Sequence, residues 1–161
     1  DDYDTEARRE SMLSRFVATI GCTPDEVATA KPLVQAERYA KGEKIQHRGE
    51  IPAGIRLVIS GLAEMLVEGP AGERVPVSEM NADDLIGLTS LTRQGINATV
   101  VCITEVEVLF VPVEVLDKLV ANRPALARDI GKEVDNRRMR VAAAFEKAGI
   151  KIPAGSKLIA Y

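Results

Sequence analysis

From about residue 35 to about residue 112, apolar and polar positions alternate in short runs, each closed by a turn residue. The runs cover residues 43–49, 54–61, 62–68 and 73–80. A period of two sends successive side chains to opposite faces of a strand, and turn signals roughly every eight to twelve residues suit an antiparallel sandwich or barrel. Gly69-Pro70-Ala71-Gly72 lies between two runs and reads as a hairpin loop, because glycine permits the positive φ such turns use. The alternation resumes at 98–103 and 106–111. The pattern therefore predicts a β-roll of about six to eight strands over 35–112.

Helical spacing flanks the roll. Over residues 5–20, Met12, Leu13, Phe16, Val17 and Ile20 share a face, and Gly21 follows as a stop. Thr23-Pro24-Asp25-Glu26 is a capping box with proline at the first helical position, starting a second helix expected to run through Leu33. A third is expected over 112–120, and a fourth over 125–147 carries Leu126, Ile130, Val134, Val141 and Phe145 along one stripe. At 1.5 Å per residue that helix spans roughly 35 Å, longer than the roll needs, so part of its stripe is expected to stay uncovered and to favour a two-fold helix pair, a homo-oligomer. The expected fold is mainly β with flanking helices: an antiparallel β-roll of the double-stranded β-helix or jelly-roll kind, with N-terminal helices and a long C-terminal helix. Residues 1–148 form one domain (helices 5–33, roll 35–112, helices 113–147), and 149–161 form a tail in which Pro153 and Gly155 block helix continuation.

Where the alternation breaks, Leu85-Ile86-Gly87-Leu88-Thr89-Ser90-Leu91 reads as a strand, a glycine and one short helical turn, followed by a loop and the strand begun by Ile96-Asn97-Ala98-Thr99-Val100. Backbone N–H groups after Gly87 would point outward at a helix start, an arrangement that can hold an anion.

Composition narrows the function. With 161 residues, 46% of them hydrophobic, the chain can bury a core without metal or disulfide. A net charge of −3 and a pI near 5.3 argue against a nonspecific nucleic-acid surface. The basic cluster Arg137-Arg138-Met139-Arg140 is expected on a solvated helix face or paired with Glu133 and Asp135. Cys22 and Cys102 lack metal spacing and read as buried free thiols of a reducing cytoplasm. The sole histidine, His47, is expected on a strand beside Arg48 without a second ligand, and Asp83-Asp84 and Asp25-Glu26 are explained by a turn and a cap. No catalytic or metal constellation emerges, and no run approaches the 18 or so apolar residues of a membrane span. A start at Asp1-Asp2-Tyr3-Asp4, without methionine or a secretion signal, suggests a fragment of something longer or a processed chain.

The order of elements resembles the cyclic nucleotide-binding domain family of catabolite-activator-type regulators, kinase regulatory subunits and ion channels. The matching residues are Lys41-Gly42-Glu43, Gly49-Glu50, Ile59-Ser60-Gly61 with Glu64, Asp84-Leu85-Ile86-Gly87 leading into the phosphate cassette, and Ala98-Thr99-Val100 leaving it. The resemblance implies a non-enzymatic sensor in which the cassette holds a cyclic phosphate and the last helix responds. It also implies a glutamate after the cassette glycine, for the ribose, and an arginine before the second strand, for the phosphate. Here Leu88 and Ile96 stand at those positions. A charge-assisted bond is worth about 1.5–3 kcal/mol, so cyclic AMP or cyclic GMP is expected to bind weakly or not at all. Thr89, Ser90, Asn97 and Thr99 could offer polar contacts, with Asn97 more simply capping the backbone. Arg93 either reaches the anion or is a solvated loop arginine.

Two stretches, 87–94 and 123–131, look like the C-terminal regulatory domains of some bacterial small-conductance mechanosensitive channels, so the parent is expected to be a membrane channel or transporter, with this domain cytoplasmic. The alternatives are the sensor half of a transcription regulator, whose helix-turn-helix the short tail cannot contain, and a protein-interaction module that has lost its ligand. No direct nucleic-acid contact is expected of the chain itself.

Overall fold

The computed structural model describes residues 2–96 and 98–152. The expectations for Asn97 and for most of the tail lie outside those residues.

Helix α1 (Glu6–Ile20) starts at Thr5, whose hydroxyl accepts the Arg8 N–H at 3.1 Å, and stops at Gly21 in the left-handed region. Helix α2 (Pro24–Val27) carries the capping box between Thr23 and Glu26. It is shorter than its sequence pattern predicts. Val27 leaves the helical region at φ −109°, ψ 1°, a 3₁₀ turn follows at Ala28–Ala30, and the N–H groups of Leu33 and Val34 both converge on the Ala30 carbonyl.

Eight strands follow: β1 (Gln35–Tyr39), β2 (Lys44–Gln46), β3 (Gly54–Ser60), β4 (Ala63–Glu68), β5 (Arg74–Met80), β6 (Leu85–Ile86), β7 (Ala98–Cys102) and β8 (Val106–Pro112). They form two four-stranded antiparallel sheets, ordered β1-β8-β3-β6 and β2-β7-β4-β5. The chain closes with α3 (Val113–Asn122) and α4 (Pro124–Lys147). His47 falls just beyond β2 and is exposed, so the expectation of a strand position is off by one residue.

Strand alternation divides the interior into two cores. Leu57 of β3 and Leu109 of β8 face the helices and pack with Met12, Leu13, Phe16, Leu116 and Leu119. Their neighbours Val58 and Val108 face inward and pack with Met65, Ala98, Val100 and Val106. Each such side chain removed from water stabilises the fold by about 1.5–3 kcal/mol.

Helix α4 joins the two cores. Leu126 and Ile130 lie in the helix-side core, Val141 and Phe145 in the roll core, and Val134 touches both. Leu126, Ile130, Val141 and Phe145 are therefore buried by the chain itself and Val134 is half-buried, which leaves little of the expected uncovered seam. The helix is long because it runs past both cores. Its exposed large apolar residue is Met139, at 68%.

The sheet β1-β8-β3-β6 meets the cassette through glycine. Gly87 has φ 90°, and a Cβ there would lie 2.6 Å from the Gly54 carbonyl oxygen. A Cβ on Gly54 would in turn lie 2.2 Å from the carbonyl oxygen of Val111. Backbone stacks on backbone at this joint.

Candidate ligand site

The cassette is held at its start by a two-residue strand. In β6, Leu85 and Ile86 pair with Leu57 and Arg56 of β3. Asp84 steadies the preceding turn, its Oδ2 accepting the Asn81 N–H at 2.7 Å, and Asp83 takes φ 75°. Gly87 then turns the chain into a 3₁₀ turn, Leu88–Thr92, which the Ser90 N–H closes on the Gly87 carbonyl at 3.0 Å.

The expected site residues separate. Leu88 is 1% exposed and belongs to the helix-side core, away from the roll interior. Ile96, 2% exposed, is locked by its backbone: its N–H donates to the Glu50 carbonyl at 3.2 Å, and its carbonyl accepts the Gly49 N–H at 2.7 Å. Ala98 faces the roll core. Thr99, one residue on, opens on the outer face of its sheet, so its hydroxyl does not point where Ala98 points.

Arg93 is an exposed loop arginine, as one of its two readings expects, and it is committed to partners outside the roll. Its Nη2 donates to Asp117 Oδ2 of α3 at 2.8 Å, and its Nη1 donates to the Ser90 carbonyl at 3.0 Å, so it fastens the end of the cassette turn to α3.

Two hydroxyls stand out. Thr89 Oγ1 and Ser90 Oγ are buried without a hydrogen-bond partner among the described residues. Leaving a buried hydroxyl unsatisfied costs about 1–3 kcal/mol, which a ligand or ordered water at the turn would recover.

A further group was missed in the sequence. Arg137 of α4 is 5% exposed, although its cluster reads as a solvated face. Its Nη2 donates to the Leu85 carbonyl at 2.5 Å, and its Nε lies 3.4 Å from Glu133 Oε1. Burial pulls its pKa down, while the charges of Glu133 and Asp84 pull it up; a guanidinium stays protonated under such opposing influences. The expected pairing holds for the rest of the cluster, with Arg138 on Asp135 and Arg140 on Glu133. The sign of Arg137's burial was present in the spacing: it lies three residues after Val134 and four before Val141, in the middle of the apolar stripe.

Both cysteines are buried free thiols, and burial raises the pKa of each. Among the described residues no helix is long and apolar enough to cross a membrane.

Relatives share this architecture. The chain is 26% identical over 129 residues to an HTH-type transcriptional regulator, Cmr, of Mycobacterium tuberculosis, covering 78% of this chain and 52% of that protein. It is 23% identical over 158 residues to the global nitrogen regulator of Synechococcus elongatus, covering 96% of this chain and 67% of that protein. The chain thus spans about half the length of the first relative and two thirds of the second. Among solved structures, the catabolite activator protein of Thermus thermophilus superposes with a TM-score of 0.65 at 21% identity, over 81% of this chain and 63% of that one. The regulatory domain of Toxoplasma gondii PKA, crystallised with cAMP, gives 0.68 at 20% identity, over 79% of this chain and 51% of that one. None of these four is a channel, and the likeness to mechanosensitive-channel domains gains no support from them. The sequence family described as the cyclic nucleotide-binding domain matches residues 36–123, over half of the chain, and carries regulatory binding domains rather than enzymes. From its eight-stranded roll, its glycine-stacked cassette and that match, the chain belongs to the cyclic nucleotide-binding domain family.

Proposed function

We propose that this chain is the ligand-sensing domain of a transcription regulator, and that its cassette grips a small ligand through α4 and buried hydroxyls in place of the glutamate and arginine that Leu88 and Ile96 replace. Support for the regulator comes from the two bacterial relatives, both regulators, and for this reason it takes precedence over the channel reading. The observation that carries the ligand reading is the buried guanidinium of Arg137 beside β6, on a helix packed against the turn that holds the unpaired Thr89 and Ser90 hydroxyls.

Calorimetric titration with cyclic AMP and cyclic GMP tests the cassette. The expected Kd is no tighter than about 100 μM, a free energy of about −5.5 kcal/mol, and Arg137→Gln should abolish it. Submicromolar binding unaffected by Arg137→Gln would overturn this account of the grip. Complete absence of heat with either nucleotide would instead favour the ligand-free interaction module, which the apolar Leu88 and Ile96 also suit. The regulator reading has its own test: the full-length protein should shift a duplex carrying its own promoter, whereas this domain alone should shift none at micromolar concentration and low salt.

A further inference from the structure

The outer face of the sheet β2-β7-β4-β5 carries a cleft of about 460 Å³, on the opposite side of β7 from Ala98. Thr99 and Leu66 lie on its floor, Lys44, His47 and Arg48 come from the β2 side, and Arg74 comes from the β5 side. Three permanent cations and the sole histidine thus converge in a chain whose net charge is −3. A single carboxylate lines the cleft, Glu68, 3.4 Å from Arg48. Among the described residues, the side chains of Lys44, His47 and Arg74 make no hydrogen bond or ion pair.

The concavity has a backbone cause. The register slips between Lys44 and Gln46 where β2 meets β7, and again between Met65 and Leu66 where β4 meets β5. A bulge bends its strand and re-aims the side chain beside it. Here the extra residues are Ile45 of β2 and Val77 of β5, one in each edge strand, so the bends fall at the two borders of the sheet face.

The spacing of the cations selects the ligand. Strands β2 and β5 are separated by three inter-strand steps, roughly 14 Å of backbone. The register also offsets the cations along the strands: Lys44 lies in the row of Val101 and Glu64, Arg74 in the row of Glu68, so they are spread along the cleft. A linear chain of phosphates offers each of them a separate anionic group, which a single phosphate does not.

We propose that this cleft is a second anion site, separate from the cassette, which binds a linear polyphosphate: an inorganic oligophosphate or the triphosphate arm of a nucleotide. Its location adds a link to the cassette. The loop that carries His47 and Arg48 continues into Gly49 and Glu50, whose backbones hold Ile96 through two hydrogen bonds.

Because His47 is the sole histidine, its imidazole proton resonance is unique in the spectrum. Tripolyphosphate titrated at low ionic strength should move that resonance saturably, with half-saturation below about 1 mM. The double variant Lys44→Gln/Arg74→Gln should weaken the effect at least tenfold with unchanged thermal unfolding, and added salt should weaken it too. Inorganic phosphate should bind at least tenfold more weakly than tripolyphosphate. ATP binding more tightly than tripolyphosphate identifies the nucleotide as the source, and equal or weaker binding identifies the free oligophosphate. A non-saturating shift, one indifferent to the double variant, equal affinity for single phosphate, or displacement by cyclic AMP would each overturn the proposal. Failure of cyclic nucleotide to bind anywhere bears on the cassette alone and leaves this site standing.

Discussion

Arg137 of α4 and Leu85 of β6 are joined by a 2.5 Å hydrogen bond from guanidinium to backbone carbonyl. The last helix thereby grips the strand that leads into the cassette. A change at the cassette that moves Leu85 must stretch this bond, and a shift of α4 must release the strand. The two elements form one mechanical unit, which gives a ligand at the turn a route to the C-terminus.

Replacing Arg137 with methionine keeps most of the stem and removes the charge. Global stability should change by less than about 1.5 kcal/mol, because the cost of burying the guanidinium disappears together with its bonds. Hydrogen exchange should then quicken selectively at residues 85–92. Uniform quickening across the roll would show that Arg137 supports the whole fold and not the junction.

At the cassette, Leu88 and Ile96 should respond differently. Leu88→Glu places a carboxylate in the helix-side core and should cost about 3 kcal/mol or more in urea unfolding, without gain in nucleotide affinity. Ile96→Arg keeps both backbone bonds, and its long stem lets the charged end seek an anion, so cyclic AMP should bind at least tenfold more tightly, about 1.4 kcal/mol. Arg93→Ala serves as the control and should leave affinity unchanged, since that arginine is committed to Asp117.

Acid should loosen the N-terminal segment first. Tyr3 and Ser60 both donate to the Glu107 carboxylate, holding its pKa below the usual 4.5. A depressed carboxylate stabilises the fold fully above its unfolded pKa, and that stabilisation is lost as pH falls through the folded value. Melting temperatures should therefore drop below about pH 4.5. Glu107→Gln should be less stable at neutral pH and show a shallower acid drop; an unchanged slope would remove Glu107 from the account.

Residues of α4 offer a contrast in burial. Val141, 1% exposed in the roll core, should lose about 3 kcal/mol or more as Val141→Glu, whereas Met139→Glu should stay within about 0.5 kcal/mol. Sedimentation of the Met139 variant reads out any pairing through this face. Loss of a dimer in that variant would place the seam at Met139, and not along the stripe that the sequence suggests.

The β-roll was legible because alternation is a local property: a residue such as Val106 declares its face through Glu105 and Glu107 beside it. Capping chemistry was equally local, and Thr23 and Glu26 meet as their spacing requires. What escaped depends on which surface a residue meets. Leu88 could be placed in the cassette, but not assigned to the helix-side core, until α3 and α4 were seen against its turn. The charge of Arg137 hid its position on the apolar stripe. Lys44 and Arg74 are thirty residues apart in the chain and line one cleft because β2 and β5 edge the same four-stranded sheet, which no pairwise spacing encodes.

The joint between Gly54 and Gly87 separates the shape of the cassette from its chemistry. Since the contact is made by main-chain atoms alone, side chains elsewhere in the turn can be exchanged without reshaping the chassis that presents them. A cassette built this way can lose one ligand's recognition groups and acquire another's while its outline stays fixed.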